Sequence, residues 1–427
     1  MPSSRRLALT LLTAMAATMP LPAWAGGFYL QEQSPKETGR ALSGGAAAAD
    51  DPSTVYFNPA AMTQLPGIQM SAGGVLLSAK ARQSNRGSTR DFPGVPAMPI
   101  SGGDGGNPFA RLIPIPSFHA TGQVGDRLWL GLGVTAPFGL KLDYDEDFFG
   151  RYDSLHTDLK TYNIQPSAAY RLTDALSVGG GIDVQYVKVK LTNAVPGAVL
   201  SGLDNHVSVK GDDWSLGWNA GLFYTNGATN IGLHYRSRMK HRVEGRFTLT
   251  PPTLLVPADG LPATAPLVLP DIVTASLMHR LTPRLRAMLT ARWYNWSVFR
   301  EIAIRSAGNP LSVKEMQYHD SYSVSVGGDY DLNDSLTLRA GTMFDRTPTN
   351  NAHLTTRVPD GDRVWLSAGA TWNISPALAL NLSYAHNFVA PATIIRAESY
   401  SPTGFTVTRA RTTGNADQLA ASLTARF

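Results

Sequence analysis

Residues 214–224 read WSLGWNAGLFY, and they alternate. Trp214, Leu216, Trp218, Ala220, Leu222 and Tyr224 fall on one face of an extended chain, and Ser215, Gly217, Asn219 and Gly221 on the other. A period of two is the signature of a strand, whose successive side chains point to opposite sides. The pattern recurs. Tyr322, Val324, Val326 and Tyr330 oppose Ser321, Ser323, Ser325 and Asp329; Val364, Leu366, Ala368, Ala370 and Trp372 oppose Ser367, Gly369, Thr371 and Asn373; Leu378, Leu380, Leu382 and Tyr384 oppose Asn381 and Ser383. Alternation also suits a soluble sandwich, so the connections decide. Short turn signals recur at Gly125-Asp126, Thr173-Asp174, Asn226-Gly227, Thr282-Pro283, Asn333-Asp334 and Ser375-Pro376. Longer Gly/Pro/Asn-rich links lie near 84–110, 193–211, 249–267, 306–318, 346–362 and 397–415. Short turns at one end and long loops at the other describe an antiparallel transmembrane β-barrel of the bacterial outer membrane. Pairing strands across these links predicts an all-β barrel of about fourteen strands, an even number as such barrels require.

The remaining sequence agrees with that fold class. Arg5 and Arg6, an apolar run from Leu7 to about Pro20, and Ala23-Trp24-Ala25 form a secretory signal peptide over residues 1–25. The run is too short for a spanning helix, and no longer one follows. A membrane chain without such helices must close into a barrel, because backbone amides in lipid need partners within the structure. The formal charge of +5 drops to +3 once Arg5 and Arg6 leave, too mild and scattered a basic balance for nucleic acid. With no Cys there is no disulfide, thiolate metal site or Cys nucleophile, and the nine His show no metal spacing. No cofactor or metal is expected. Gly131-x-Gly133 lies in a strand with no helix after it, so it is not a dinucleotide loop. No Gly-x-Ser-x-Gly elbow is present, and no catalytic residue is assigned. Aromatics at Trp214, Trp218, Trp372 and Tyr384, with a cluster at Trp293, Tyr294 and Trp296, suit a girdle at the lipid–water boundary.

Residues 26–66 do not alternate. Gly26-Gly27-Phe28, a Gly/Ala-rich run through Ala49, Asp50-Asp51-Pro52 and Asn58-Pro59-Ala60 suit either a periplasmic tail or a short plug within a lumen. Strand 175–192 carries a change of apolar phase: Leu176, Val178, Ile182, Val184 and Tyr186 are in one register, and Val187, Val189 and Leu191 in the other. A bulge near Tyr186-Val187 would produce such a slip and turn Lys188 and Lys190 into the lumen. There they would receive a carboxylate head group through charge-assisted hydrogen bonds. The alternative places both at the outer rim, solvated.

The stretch GGFYLQEQSPKETGRALSGGAAAADDPSTVYFNPAAM resembles the mature N-terminus of the FadL-type outer-membrane transporters of long-chain fatty acids and hydrocarbons. Further likenesses follow in order at TAPFGLKLDY (135–144), GRYDS, LKTYNIQPSAAYRL (159–172), YRSRMK (235–240) and VPDGDRVWLSAGATW (358–372). The resemblance implies an N-terminal hatch over 26–66 inside a monomeric barrel over 67–427. It implies that Asn58, Pro59 and Ala60 lie against a kinked third strand, with the kink at Pro137 and Gly139. Pro137 cannot donate a ladder hydrogen bond, which is a physical reason for local unpairing. The resemblance also implies that Phe28 closes the ligand pocket and that Lys188 is its cation, with Lys314 and His319 offering a second polar contact. Passive uptake of a long-chain fatty acid or another hydrophobic ligand is the expected function. A water-filled porin and a lipid hydrolase are the alternatives. Outer-membrane lipid and lipopolysaccharide would surround the wall. The terminal strand (Leu419, Ala421, Leu423, Ala425, Phe427) resembles the signal read by the outer-membrane insertion machinery.

Overall fold

The computed structural model describes residues 26–92, 94–197, 204–400 and 404–427; the expected signal peptide, residues 1–25, lies outside them. Among the described residues the chain forms a closed antiparallel barrel of 14 staves. The first stave, Ile68–Asn85, pairs on one side with Ile113–Val124 and on the other with the last, Phe405–Arg426. That pairing closes the sheet on itself, as lipid demands. All six short turns read from the sequence join neighbouring staves, and both barrel ends, Ile68 and Phe427, meet at the same rim. The alternation holds: Trp214, Leu216, Trp218, Leu222 and Tyr224 are exposed on the lipid face, and Asn219 and Phe223 are buried in the lumen.

Several staves are interrupted in the half away from the short turns. The third consists of Leu128–Thr135 and Gly139–Asp143, broken at Ala136-Pro137. The ninth consists of Leu285–Tyr294 and Glu301–Ser306, separated by a 3-10 turn at Trp296–Val298. This turn corrects one expectation. Trp293 faces lipid, but Tyr294 and Trp296 are buried inside and belong to no girdle. Strict alternation reverses Tyr294, and the 3-10 turn rolls Trp296 inward.

A second correction concerns strand Leu176–Pro196. Its register with Asp204–Thr225 runs without a shift from Leu176↔Tyr224 to Pro196↔Asp204, so there is no bulge at Tyr186-Val187. Val187 is buried inward, and Lys188 and Lys190 therefore point outward. The phase change in the sequence marks a change of surroundings. Below Tyr186 the outer face meets lipid and the lumen is polar; above it the outer face meets water and the interior is apolar.

Residues 26–66 lie inside the lumen and are almost all buried. Their helical content is slight: Pro35–Thr38, Thr54–Phe57 and the 3-10 turn Pro59–Gln64. Irregular buried backbone must find hydrogen-bond partners, and the polar inner face of the wall supplies them. Gln165 Nε2 donates to Val55 O (2.5 Å), Arg236 Nη2 to Tyr56 O (2.9 Å), Asn230 Nδ2 to Ala47 O (3.0 Å) and Ser383 Oγ to Pro35 O (2.7 Å). Thr290 Oγ1 accepts from Gly44 N (2.8 Å). Arg40, fully buried, makes an ion pair with Glu37 and others with Asp50 (3.3 Å) and with Asp329 of the wall (3.0 Å).

Candidate functional site: a wall opening and two apolar chambers

The second and third staves pair only in part. Their ladder runs from Val124↔Leu128 to Phe118↔Val134 and stops. Beyond it, Ile113 to Ser117 pair only with the first stave, and Gly139–Asp143 only with the fourth, His156–Arg171. The wall closes again at the Phe109↔Leu142 bridge and at Asp143 N, which donates to Pro108 O (2.8 Å). A window is left between these two closures.

Both edges of the window are built not to pair. On one side the break at Ala136-Pro137 ends the ladder. On the other stand Pro114 and Pro116, which no sequence motif marks. In a strand the N–H and C=O of one residue point the same way. Ile115, between the two prolines, directs its carbonyl toward Gly74 of the first stave, so residues 114 and 116 face the window. Proline at those positions removes both N–H donors that would bridge it.

The groups freed at the kink are taken by the inner segment. Leu30 N donates to Pro137 O (2.8 Å) and Gly139 N to Phe28 O (3.0 Å), with Tyr29 bridged to Phe138. The Gln33 amide closes on both sides of Ala136, Nε2 to its carbonyl (3.0 Å) and Oε1 from its N–H (3.0 Å). Residues 28–33, not Asn58-Pro59-Ala60, therefore hold the kink. Asn58 instead donates to Ala46 O (2.8 Å) and Leu222 O (3.0 Å). Asn58-Pro59-Ala60 packs on Gly179 and Gly221 of the fifth and sixth staves. A Cβ on Gly221 would lie 1.9 Å from Asn58 Oδ1, and one on Gly179 2.5 Å from Ala60 N, so only glycine admits this approach.

An apolar cavity of about 500 Å³ occupies the window, and its lining comes from both faces of the wall. Phe28, Leu30, Leu159 and Val358 contribute from inside; Pro114, Lys141 and Tyr162 from outside. A smaller chamber of about 70 Å³ lies deeper, lined by Val189, Leu191, Val243, Leu267, Phe299 and Ile302 among others. Phe28, Leu140, Leu159 and Val358 line both and form the partition. The Phe28 ring stands edge-on to Trp296 (5.0 Å), Phe299 (5.5 Å) and Phe138 (6.1 Å). Its neighbour Gly27 is tied by N–H to Asp360 Oδ2 (2.7 Å) and by its carbonyl to Arg363 Nη2 (3.3 Å).

The expected polar contacts do not gather here. Lys188 and Lys190 are outside the barrel. Lys314 is buried but committed, to Asp153 (2.7 Å) and Glu398 (3.2 Å). His319 bonds Asp320 O (3.0 Å) and faces a separate polar cavity with Arg346 and Asp362. The cation on the inner chamber is Arg357, 4% exposed. Its guanidinium donates to the carbonyls of Asp153 (3.1 Å), His156 (3.1 Å) and Thr192 (3.2 Å) and to Thr157 Oγ1 (3.1 Å). All four acceptors are neutral, and burial draws its pKa below the ordinary arginine value. Nothing in its local sequence marks it, since Arg357 sits in a loop and approaches the chamber only through contacts with residues some two hundred positions away.

Residues 14–427 match the family model described as Outer membrane protein transport protein (OMPP1/FadL/TodX). The chain is 31% identical over 395 residues to Outer membrane protein P1 of Haemophilus influenzae, covering 85% of this chain and 86% of that one. It is 30% identical over 407 residues to the Long-chain fatty acid transport protein of Salmonella typhi, covering 88% and 91%. Among solved structures, a FadL homologue of Pseudomonas aeruginosa superposes with a TM-score of 0.85 at 24% identity, over 94% of this chain and 100% of that one.

Proposed function

Since this chain belongs to the outer membrane transport protein family of OMPP1, FadL and TodX, we propose that it takes up hydrophobic small molecules passively and releases them sideways through the wall window. The observation that carries this reading is the apolar cavity whose lining spans both faces of the wall. A solute in the inner chamber is separated from the window by Phe28, at the start of the inner segment. Residues 26–66 act as a hatch: they fill the lumen, and a shift at Gly27-Phe28 joins the two chambers. No large aqueous pore is needed, which separates this reading from a porin. Long-chain fatty acids are the favoured cargo, because Arg357 offers an acid head group a buried cation whose hydrogen bonds all go to neutral acceptors. A neutral arene would use the same apolar path without that contact.

The test is to zip the window. Pro114→Thr, Pro116→Thr and Pro137→Val restore missing donors, and Gln33→Ala removes the amide that competes for Ala136. Uptake of radiolabelled oleate should fall severalfold at equal surface abundance. Undiminished uptake by a barrel with the window closed would show that cargo leaves by another route.

A further inference from the structure

Lys188 and Lys190 have no role in the pocket, and their placement outside the barrel gives them another. On the outer wall, Tyr162, Tyr186 and Trp214 form one cross-strand row, with Tyr186 and Trp214 ring centroids 5.1 Å apart. Below this row the outer face is apolar down to Tyr170 and Tyr224. Eight residues separate Tyr162 from Tyr170, which on a tilted strand spans roughly 20 Å, close to the apolar height of such barrels. The row therefore marks the outer lipid boundary.

Directly above it, at headgroup level, stands a field of cations. Lys160 is paired opposite Lys188, and Lys190 opposite Lys210. Like charges directly across a ladder destabilise it. The nearby acids relieve this only in part. Asp158, opposite Lys190, pairs with Lys160 (2.9 Å), Glu244 pairs with Arg242 (3.5 Å), and Asp212 stands opposite Lys188. Among the described residues no carboxylate lies within ion-pair distance of Lys188, Lys190 or Lys210. Three ammonium groups that make no ion pair among the described residues, with Lys160 and Arg246 beside them, thus outnumber the acids across the ladder and sit just above an aromatic row and a greasy wall.

We infer that Lys188, Lys190 and Lys210 form an external binding site for a phosphorylated glycolipid of the outer leaflet. Its phosphates bridge the opposed lysines, and its acyl chains lie along Ile164, Ile182 and Leu216 beneath. Charge complementarity and the continuity of the patch with the lipid-facing wall select this occupant. A soluble anion would use the charges and leave the apolar surface unused.

The test uses the purified full-length mature protein in neutral detergent with EDTA, titrated with diphosphoryl lipid A and followed by native mass spectrometry. Lys188→Gln, Lys190→Gln and Lys210→Gln together should weaken binding on the order of tenfold or more, as loss of charge-assisted hydrogen bonds implies. The corresponding Lys→Arg variant should retain it. Lipid A stripped of its phosphates should bind wild type and triple variant alike, and weakly. Equal binding of diphosphoryl lipid A by wild type and triple variant would overturn the inference. So would wild-type binding of pyrophosphate as tight as that of the lipid. A readout free of any mutation is acetylation of the folded wild-type protein. Diphosphoryl lipid A should shield these three lysines from acetic anhydride, and unshielded lysines in its presence would refute the site.

Discussion

The seating of residues 26–66 in the lumen, which the proposed hatch requires, can be tested at Arg40. This side chain is fully buried, and three carboxylates surround it. Arg40→Ala does not strand all three. Asp329 keeps Arg339 (3.6 Å) and Arg286 (3.8 Å), and Asp50 keeps Lys36 (3.0 Å). Glu37 loses its only ion-pair partner among the described residues and stays buried. Breaking a buried pair from one side costs about 3–5 kcal/mol, and the surviving partners place this case at the lower end, about 3 kcal/mol. The wall ladders do not involve Arg40, so the loss falls on the seated state of the inner segment. With about 1.4 kcal/mol per tenfold change, the unseated population should rise roughly hundredfold. In planar bilayers the wild type should be nearly silent and Arg40→Ala should show frequent ion-conducting openings. Arg40→Lys should fall between them. Heat-modifiable migration on gels should be unchanged, showing an intact barrel. A silent Arg40→Ala barrel would refute the reasoning, as would a variant whose barrel itself fails to form.

Other substitutions probe separate links. Gly221→Ala places a methyl where Asn58 Oδ1 sits, so it should mimic Arg40→Ala in conductance, and Asn58→Gly should restore silence to it. Phe28→Ala removes the partition between the chambers and should speed oleate uptake while lowering oleate affinity; unchanged kinetics would mean the ring is no gate. Arg357→Leu should weaken oleate binding on the order of tenfold, the worth of a hydrogen bond to a charged group, and leave toluene binding alone, as paired titrations would reveal. Lys188→Ala should not change oleate affinity; a loss there would put this lysine back in the pocket.

The barrel was legible in the sequence because its solvent is written into it. Lipid outside and water or polar protein inside force a period of two, and six turn dipeptides mark where the chain reverses at one rim. The kink at Pro137 was implied by the family resemblance, with the missing donor of a proline as its physical reason. What sequence alone could not decide was where the solvent changes. In 176–196 the phase of the apolar residues flips at Tyr186, and a bulge and a membrane boundary leave the same trace in one strand. Only the unbroken register with Asp204–Thr225 tells them apart. It sends Val187, Val189 and Leu191 inward and the lysines out. The same holds for Arg357, Trp296 and the prolines at 114 and 116. Each acquires its role from a partner distant in the chain, because closing a barrel joins residues by register rather than by sequence distance.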